Sequence, residues 1–290
     1  MSPRMELERE HLAALAPNER AALAVARFVN ETPRVKAAAQ WINEAVAARW
    51  MTLVSKRRIR LVGMEKMAAL APKRGVLIAA NHRSFFDMYM VATYLHRHTD
   101  WCRRLFFPVR SHFFYERPLG VVVNALASSM AMYPPIFRAN EKRDVTRAGL
   151  DFLARELAVP GTVVGIHPEG TRSKSDDAYD LLPPEQGFGR VALQGRPVVV
   201  PVFVNGMTNA LARECLSTFD GTGIPIFLVF GDPVDLGEFA DVDPQRLRAQ
   251  IAGGRKVMDA IAALGARERR LRAALAEGKT LEQALADEPA

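Results

Sequence analysis

A histidine followed five residues later by an aspartate, His82 and Asp87 in Asn81-His82-Arg83-Ser84-Phe85-Phe86-Asp87, is the pair in this chain best suited to proton transfer. A carboxylate that accepts a hydrogen bond from one imidazole nitrogen fixes the tautomer and leaves the other nitrogen free to take a proton from a hydroxyl. The two side chains must then share a turn. The apolar run Gly75-Val76-Leu77-Ile78-Ala79-Ala80 before them reads as a buried strand, and Met88-Tyr89-Met90-Val91-Ala92-Thr93-Tyr94-Leu95 after them reads as a helix. Ser84 fits an N-cap and Asp87 the acidic position of a capping box. The helix is therefore expected to begin between histidine and aspartate and to fold the carboxylate back toward the ring. The competing reading is purely local, a histidine at a helix start and an aspartate favoured by the helix N-terminus.

Three further stretches could carry chemistry. A strand at Thr162-Val163-Val164-Gly165-Ile166 runs into His167-Pro168-Glu169-Gly170-Thr171-Arg172-Ser173-Lys174. There a glycine permits close backbone approach, and the cations and hydroxyls suit a phosphate. The plain alternative is a polar loop in which Glu169 pairs with Arg172. The run Met130 to Phe137 reads as a strand ending at Arg138, and Asn140 to Asp144 opens a helix that also carries Arg143. An arginine beside a helix N-terminus attracts anions twice over. Val198 to Val204 reads as a buried strand whose Pro201 implies a distorted or terminal position. His96-Arg97-His98 is not a metal pair, because a spacing of two on a helix points the rings apart.

The elements that must position these residues alternate. Residues 4–55 read as two or three helices, with Asn18 capping the second and Thr32-Pro33 opening the third. In the third, Val35, Ala39, Ile42, Val46 and Leu53 keep helical spacing near Trp41 and Trp50, a stripe that ordinarily packs inward. The basic cluster Lys56-Arg57-Arg58 after it is what attachment to an anionic lipid surface would use. Strands are expected at 58–62, 75–80, 104–108, 131–137, 162–166, 197–204 and 224–230. Helices are expected near 85–97, 118–128, 141–158 and 187–195. The pattern defines an α/β fold, a largely parallel mixed sheet flanked by helices, with sites gathered at strand C-terminal ends. Residues 245–287 form a helical tail, broken at Gly253-Gly254 and restarted at Thr280, whose cluster Arg267 to Arg272 is expected to face solvent. The organisation is thus an N-terminal helical hairpin or bundle over 1–57, an α/β domain over 58–240 and a C-terminal helical tail over 241–290.

Composition bounds the rest. With 290 residues, 49% of them hydrophobic, one large domain is expected. The net charge of +7 favours anionic partners, phosphates or phospholipid surfaces. Nucleic acid is not expected as a partner, since no recognition module is found. Two cysteines, Cys102 and Cys215, imply free thiols in a reducing compartment. No apolar run approaches the roughly 20 residues needed to cross a bilayer, and Met1-Ser2-Pro3-Arg4-Met5-Glu6 lacks a signal-peptide core. The chain is therefore expected on the cytoplasmic side.

In order along the chain, Asn81-His82 with Asp87, Arg138, Glu169-Gly170-Thr171-Arg172, and Val199-Val200-Pro201-Val202 resemble the four blocks of the glycerolipid acyltransferase family that includes lysophosphatidate acyltransferase. The resemblance covers roughly residues 58–235. It implies transfer of a fatty acyl group from coenzyme A or acyl carrier protein to a glycerol hydroxyl, with His82 as general base and Asp87 orienting it. It implies that Arg138, Glu169, Gly170, Thr171 and Arg172 bind the acceptor, that Pro201 and its neighbours lie on the donor side, and that no metal or other cofactor is needed. The acceptor implied is a lysophospholipid such as 1-acyl-glycerol-3-phosphate, and peripheral attachment to the inner membrane follows from such a substrate. A different acceptor, or a non-catalytic lipid-binding protein, is the alternative. Two departures bear on the acceptor. Pro134-Pro135-Ile136-Phe137 stands before Arg138 where the family often has a glycine and an acidic residue, which makes Arg143 a rival for the phosphate. Gln186 stands before Gly187 where the family often has lysine.

Overall fold

The computed structural model describes residues 3–117 and 119–288, without the side chains of Leu211, Ala212, Cys215 and Thr218. Pro118, the first residue of the helix read at 118–128, and the Cys215 thiol lie outside that description, whereas Cys102 is a buried free thiol.

Among the described residues there are eight strands: β1 (Ile59–Val62), β2 (Val76–Ala80), β3 (Arg104–Phe106), β4 (Val109–Arg110), β5 (Pro135–Ile136), β6 (Thr162–Ile166), β7 (Val198–Asn205) and β8 (Ile226–Phe230). Six of them form one sheet in the order β1-β8-β7-β2-β6-β3, parallel throughout except where β7 meets β8. β2, β6 and β8 are buried along their whole length, which is why they read as continuous apolar runs rather than alternating ones. This is the mixed, largely parallel α/β sheet the sequence implies. Ala79 pairs with Ile166 across β2 and β6, so the two chains leave the sheet side by side. Pro201 lies inside β7, opposite Ala79, and pairing of β7 with β8 begins only at Val202. The Pro201 carbonyl still accepts the Gly231 N–H just beyond β8, so the proline stands at the end of that ladder, where a missing N–H costs least.

Four expectations are corrected. The run 131–137 is not a strand of the main sheet; only Pro135 and Ile136 pair, in parallel with β4, as a separate two-stranded ribbon. Pro134 and Pro135 bring no N–H to a ladder, and Ser129 and Met130 turn the chain through positive φ before them. The C-terminal helix runs unbroken from Leu247 to Ala276, through Gly253-Gly254. Those glycines let the helix lie close on its neighbours: a Cβ on Gly254 would sit 3.2 Å from Pro184. Packing against the helix Gln186–Gly195 outweighs the roughly 1 kcal/mol propensity cost of each glycine. Asn18 does not cap the second helix, which begins at Pro17 with Glu19 accepting the Ala16 N–H, while Asn18 reaches the carbonyl of Glu116. The cluster 267–272 is only in part a solvated face: Arg269 and Arg270 are exposed, but Glu268 is buried, accepting from Tyr179 and Arg272, with Asn205 beside it, and Leu271 is in the core. The C-terminal helix thereby braces β7 and the loop that follows Arg172.

The N-terminal helices Pro17–Glu31 and Pro33–Ile42, a π-helical stretch Asn43–Ala48 and the helix Arg49–Ser55 precede β1. Of the stripe that ordinarily packs inward, Val35 and Ala39 are half-buried while Ile42, Val46 and Leu53 are exposed, with Trp41 69% open and Trp50 exposed near them. The helix Gly120–Ser128 packs beside the π-helical stretch and exposes Val122, Val123 and Leu126. Of the basic cluster, Lys56 and Arg57 are exposed, but Arg58 is buried against Glu214, Ser217 and the carbonyls of Gly206 and Ile224. Among the described residues no helix is long and apolar enough to cross a membrane.

Candidate active site

The end of β2 is pinned before the site begins. The Asn81 side chain donates to the Val204 carbonyl and accepts from the Val204 N–H, extending the β2–β7 pairing by one amide. His82 follows, and residues 83–86 turn tightly into the helix Asp87–His98. One oxygen of Asp87, Oδ2, accepts from the N–H groups of Arg83 and Ser84, both at 2.7 Å, and lies 3.3 Å from His82 Nδ1. The helix begins at Asp87 with Phe86, not Ser84, at its N-cap, and the turn before it folds the carboxylate onto the imidazole, as the spacing implies. Because a carboxylate only accepts, Nδ1 carries the proton and Nε2 keeps its lone pair.

The loop after β6 locks onto this turn. Glu169 is buried, and its two oxygens accept the N–H groups of His82 and Leu182, each at 2.8 Å. The Ser173 N–H returns to the His82 carbonyl, and the Arg83 guanidinium donates to the Ser175 carbonyl. Gly170 holds φ +60, a conformation that favours glycine. Glu169 therefore shapes the loop from inside, while Gly170 is exposed and Thr171 and Arg172 are half-buried beside it.

Arg172 lies 4.1 Å above the Phe85 ring, which meets Phe113 edge-on at 5.7 Å. Of the aromatic groups flanking the strands, Phe106, Phe107 and Tyr115 belong to the core, whereas Phe85 and Phe113 are exposed. Arg110, at the end of β4, reaches the Gly170 carbonyl at 3.4 Å. Its charge is disfavoured by burial and then by Arg138, favoured by Glu185 and disfavoured by Arg172, so three arginines and one carboxylate share this region. Arg143 is exposed and donates to Asn140. Sequence reasoning missed Arg110, although it ends the short strand β4; Arg138 and Arg172 lie in the loops that follow β5 and β6.

Burial, and after it the fields of Arg172 and Arg110, push the His82 imidazolium down to about 3. Asp87 moves the other way, raised to about 6 by burial against the opposing pull of its donors. At neutral pH the pair is a neutral imidazole beside a carboxylate, the protonation state a general base requires.

A second histidine was also missed as a site residue. The His167 ring stacks on His82, centroids 3.9 Å apart and planes within 5°. Its Nδ1 lies 2.9 Å from the carbonyls of both Ala80 and Asn81, so that nitrogen is the protonated one. Donor atoms of His82, Asp87 and His167 lie within 4.8 Å of one another, close enough for a metal ion. Their directions do not suit one: lone pairs in parallel planes do not converge, and both Nδ1 atoms are already engaged. His96 and His98 diverge, one bonded to Gln40 and the other stacked on Tyr94.

A strand-end imidazole tethered to a carboxylate, kept neutral by burial and by nearby arginines, thus sits on a largely parallel α/β sheet. The acyltransferase family model matches residues 58–205, just over half of the chain, and the chain belongs to that family, the glycerolipid and lysophosphatidate acyltransferases. No curated protein matches it.

Proposed function

We propose that the protein moves a fatty acyl group from an acyl thioester, coenzyme A or acyl carrier protein, to the free hydroxyl of 1-acyl-glycerol-3-phosphate, giving phosphatidic acid. The observation that carries this reading is the base and its surroundings: His82 tethered to Asp87, with Arg172 and Arg110 near enough to govern its charge. In the reaction, the acceptor hydroxyl gives its proton to His82 Nε2 as its oxygen attacks the thioester carbonyl. The tetrahedral intermediate then expels the thiolate, which leaves as the thiol with that proton. A thioester is already activated, so the enzyme needs no nucleophile of its own; juxtaposing the substrates and moving the proton suffice.

Arg138 and Arg172, joined by Arg110, hold the acceptor phosphate, with Gly170 and Thr171 framing the loop around it. Arg138 is preferred to Arg143 because it is Arg138 that shares the field felt by Arg110. Arg172→Ala should raise KM for a phosphorylated acceptor by about tenfold or more, the loss of a charge-assisted contact, and leave a phosphate-free glycerolipid little affected. Equal losses on both acceptors in a coenzyme A release assay would refute phosphate binding here; a panel of acceptors with one donor would then identify the alcohol.

The enzyme works on the cytoplasmic face of the inner membrane as a peripheral protein. The exposed apolar residues of the N-terminal helices and the helix Gly120–Ser128, next to Lys56 and Arg57, support that attachment. Trp41→Ser combined with Trp50→Ser should weaken co-sedimentation with anionic phospholipid vesicles while preserving the fold. Undiminished sedimentation would contradict attachment through this face.

A further inference from the structure

We infer that His167 is the positioning residue of the catalytic base, a flat backstop that keeps the His82 ring turned so that Nδ1–H meets Asp87 and Nε2 stays free. The inference rests on the reading of His82 as the base.

The tether to Asp87 is too loose to orient the ring alone. At 3.3 Å it is longer than the usual 2.7–3.2 Å of such a bond, and the oxygen it uses is already shared with two backbone N–H groups at 2.7 Å. The terminal torsion of a histidine is broad and roughly two-fold, so a single weak contact leaves the ring free to turn and exchange its nitrogens. A parallel ring 3.9 Å away blocks that rotation, because a turned imidazole would drive its edge into the neighbour.

The backstop is itself held from the same strand end that carries His82. Nδ1–H of His167 faces the carbonyls of Ala80 and Asn81, the two residues immediately before the base. The register of β2 and β6 makes this possible: with Ala79 opposite Ile166, the first residue after β6 lies beside the residues leaving β2. A phenyl ring could offer the face but not the donor, and an asparagine the donor but not the face. Histidine supplies both. Burial and the neighbouring His82 also disfavour a proton on the second ring, so the stack stays neutral.

The test uses the full-length protein with 15N-labelled imidazoles, read by long-range nitrogen–proton NMR, alongside steady-state kinetics. In the native protein His82 should show a single tautomer protonated at Nδ1. In His167→Ala that signal should average between tautomers, and kcat should fall by up to about 10²-fold, as for a reacting group displaced by about 1 Å, with acceptor KM unchanged. His167→Asn, which keeps the donor alone, should resemble His167→Ala, and His167→Phe, which keeps the face, should recover most of the loss. His82→Ala, run in parallel, separates the two readings: an active His82→Ala enzyme would remove the base itself. An inactive one beside a His167→Ala enzyme with native kcat and one His82 tautomer would overturn the backstop alone. Should His167→Ala fail to fold, the contrast between His167→Phe and His167→Asn decides the matter, equal loss in both overturning the inference.

Discussion

His82→Ala should lower acyl transfer by about 10²- to 10⁴-fold, the range for removal of a positioned proton acceptor, while the protein keeps its melting temperature. The second half of that expectation follows from where the interactions lie. The Asn81 amide, the Glu169 carboxylate and the Asp87 carboxylate all hold this turn through backbone groups, and those bonds survive loss of the imidazole. What is lost is the ring, its contact with Asp87 and its stack on His167. The thioester stays reactive and the arginines keep their places, so acceptor KM should change little and the defect should fall on kcat. A purified His82→Ala enzyme with near-native turnover would sink the mechanism.

What the sequence made legible follows the range of the interactions. β2, β6, β7 and β8 were readable because buried parallel strands are continuous apolar runs, and the mixed α/β architecture followed from their alternation with helices. His82 and Asp87 were readable because their meeting is local, five residues around one helix start. Arg172 was singled out with the glycine and hydroxyls of its own loop, which follows a strand that could be seen. Arg110 and His167 were not, because their importance depends on strand neighbours: only the β2–β6 pairing brings the two histidines together, and only the small β4–β5 ribbon places Arg110 near Arg138. The failures elsewhere have the same origin. Gly253-Gly254 looked like a break and is a close contact; Glu268 looked solvated and is a buried acceptor; Ile42, Val46 and Leu53 looked like packing surface and are open. Local propensity lost to packing in the first two cases. In the third, apolar spacing marks a face without saying what covers it.

Glu169 carries the other large expectation, and it separates the two roles this residue could have. If it bound substrate directly, Glu169→Ala would raise KM and leave the fold as stable as before. The geometry predicts the reverse. Both oxygens are committed to buried backbone donors, one from His82 and one from Leu182, and the loop from 167 to 185 has no other side chain joining these two points. Losing the carboxylate strands two N–H groups at about 1–3 kcal/mol each. Burial already raises the Glu169 pKa, which means that the charged group is held at some cost, and this trims the net loss. A loss of about 3 kcal/mol is therefore expected, a fall in melting temperature of roughly 6–12 °C at about 2–4 °C per kcal/mol. Glu169→Gln should lie between, since its amide keeps one acceptor but turns an NH₂ group toward a second N–H. Activity should fall with stability, because the N–H that Glu169 holds belongs to His82, and a base that drifts by about 1 Å loses on the order of 10²-fold in rate. Calorimetry and acceptor kinetics on Glu169→Ala and Glu169→Gln decide between the roles: an unchanged melting temperature with a raised KM would return Glu169 to the substrate.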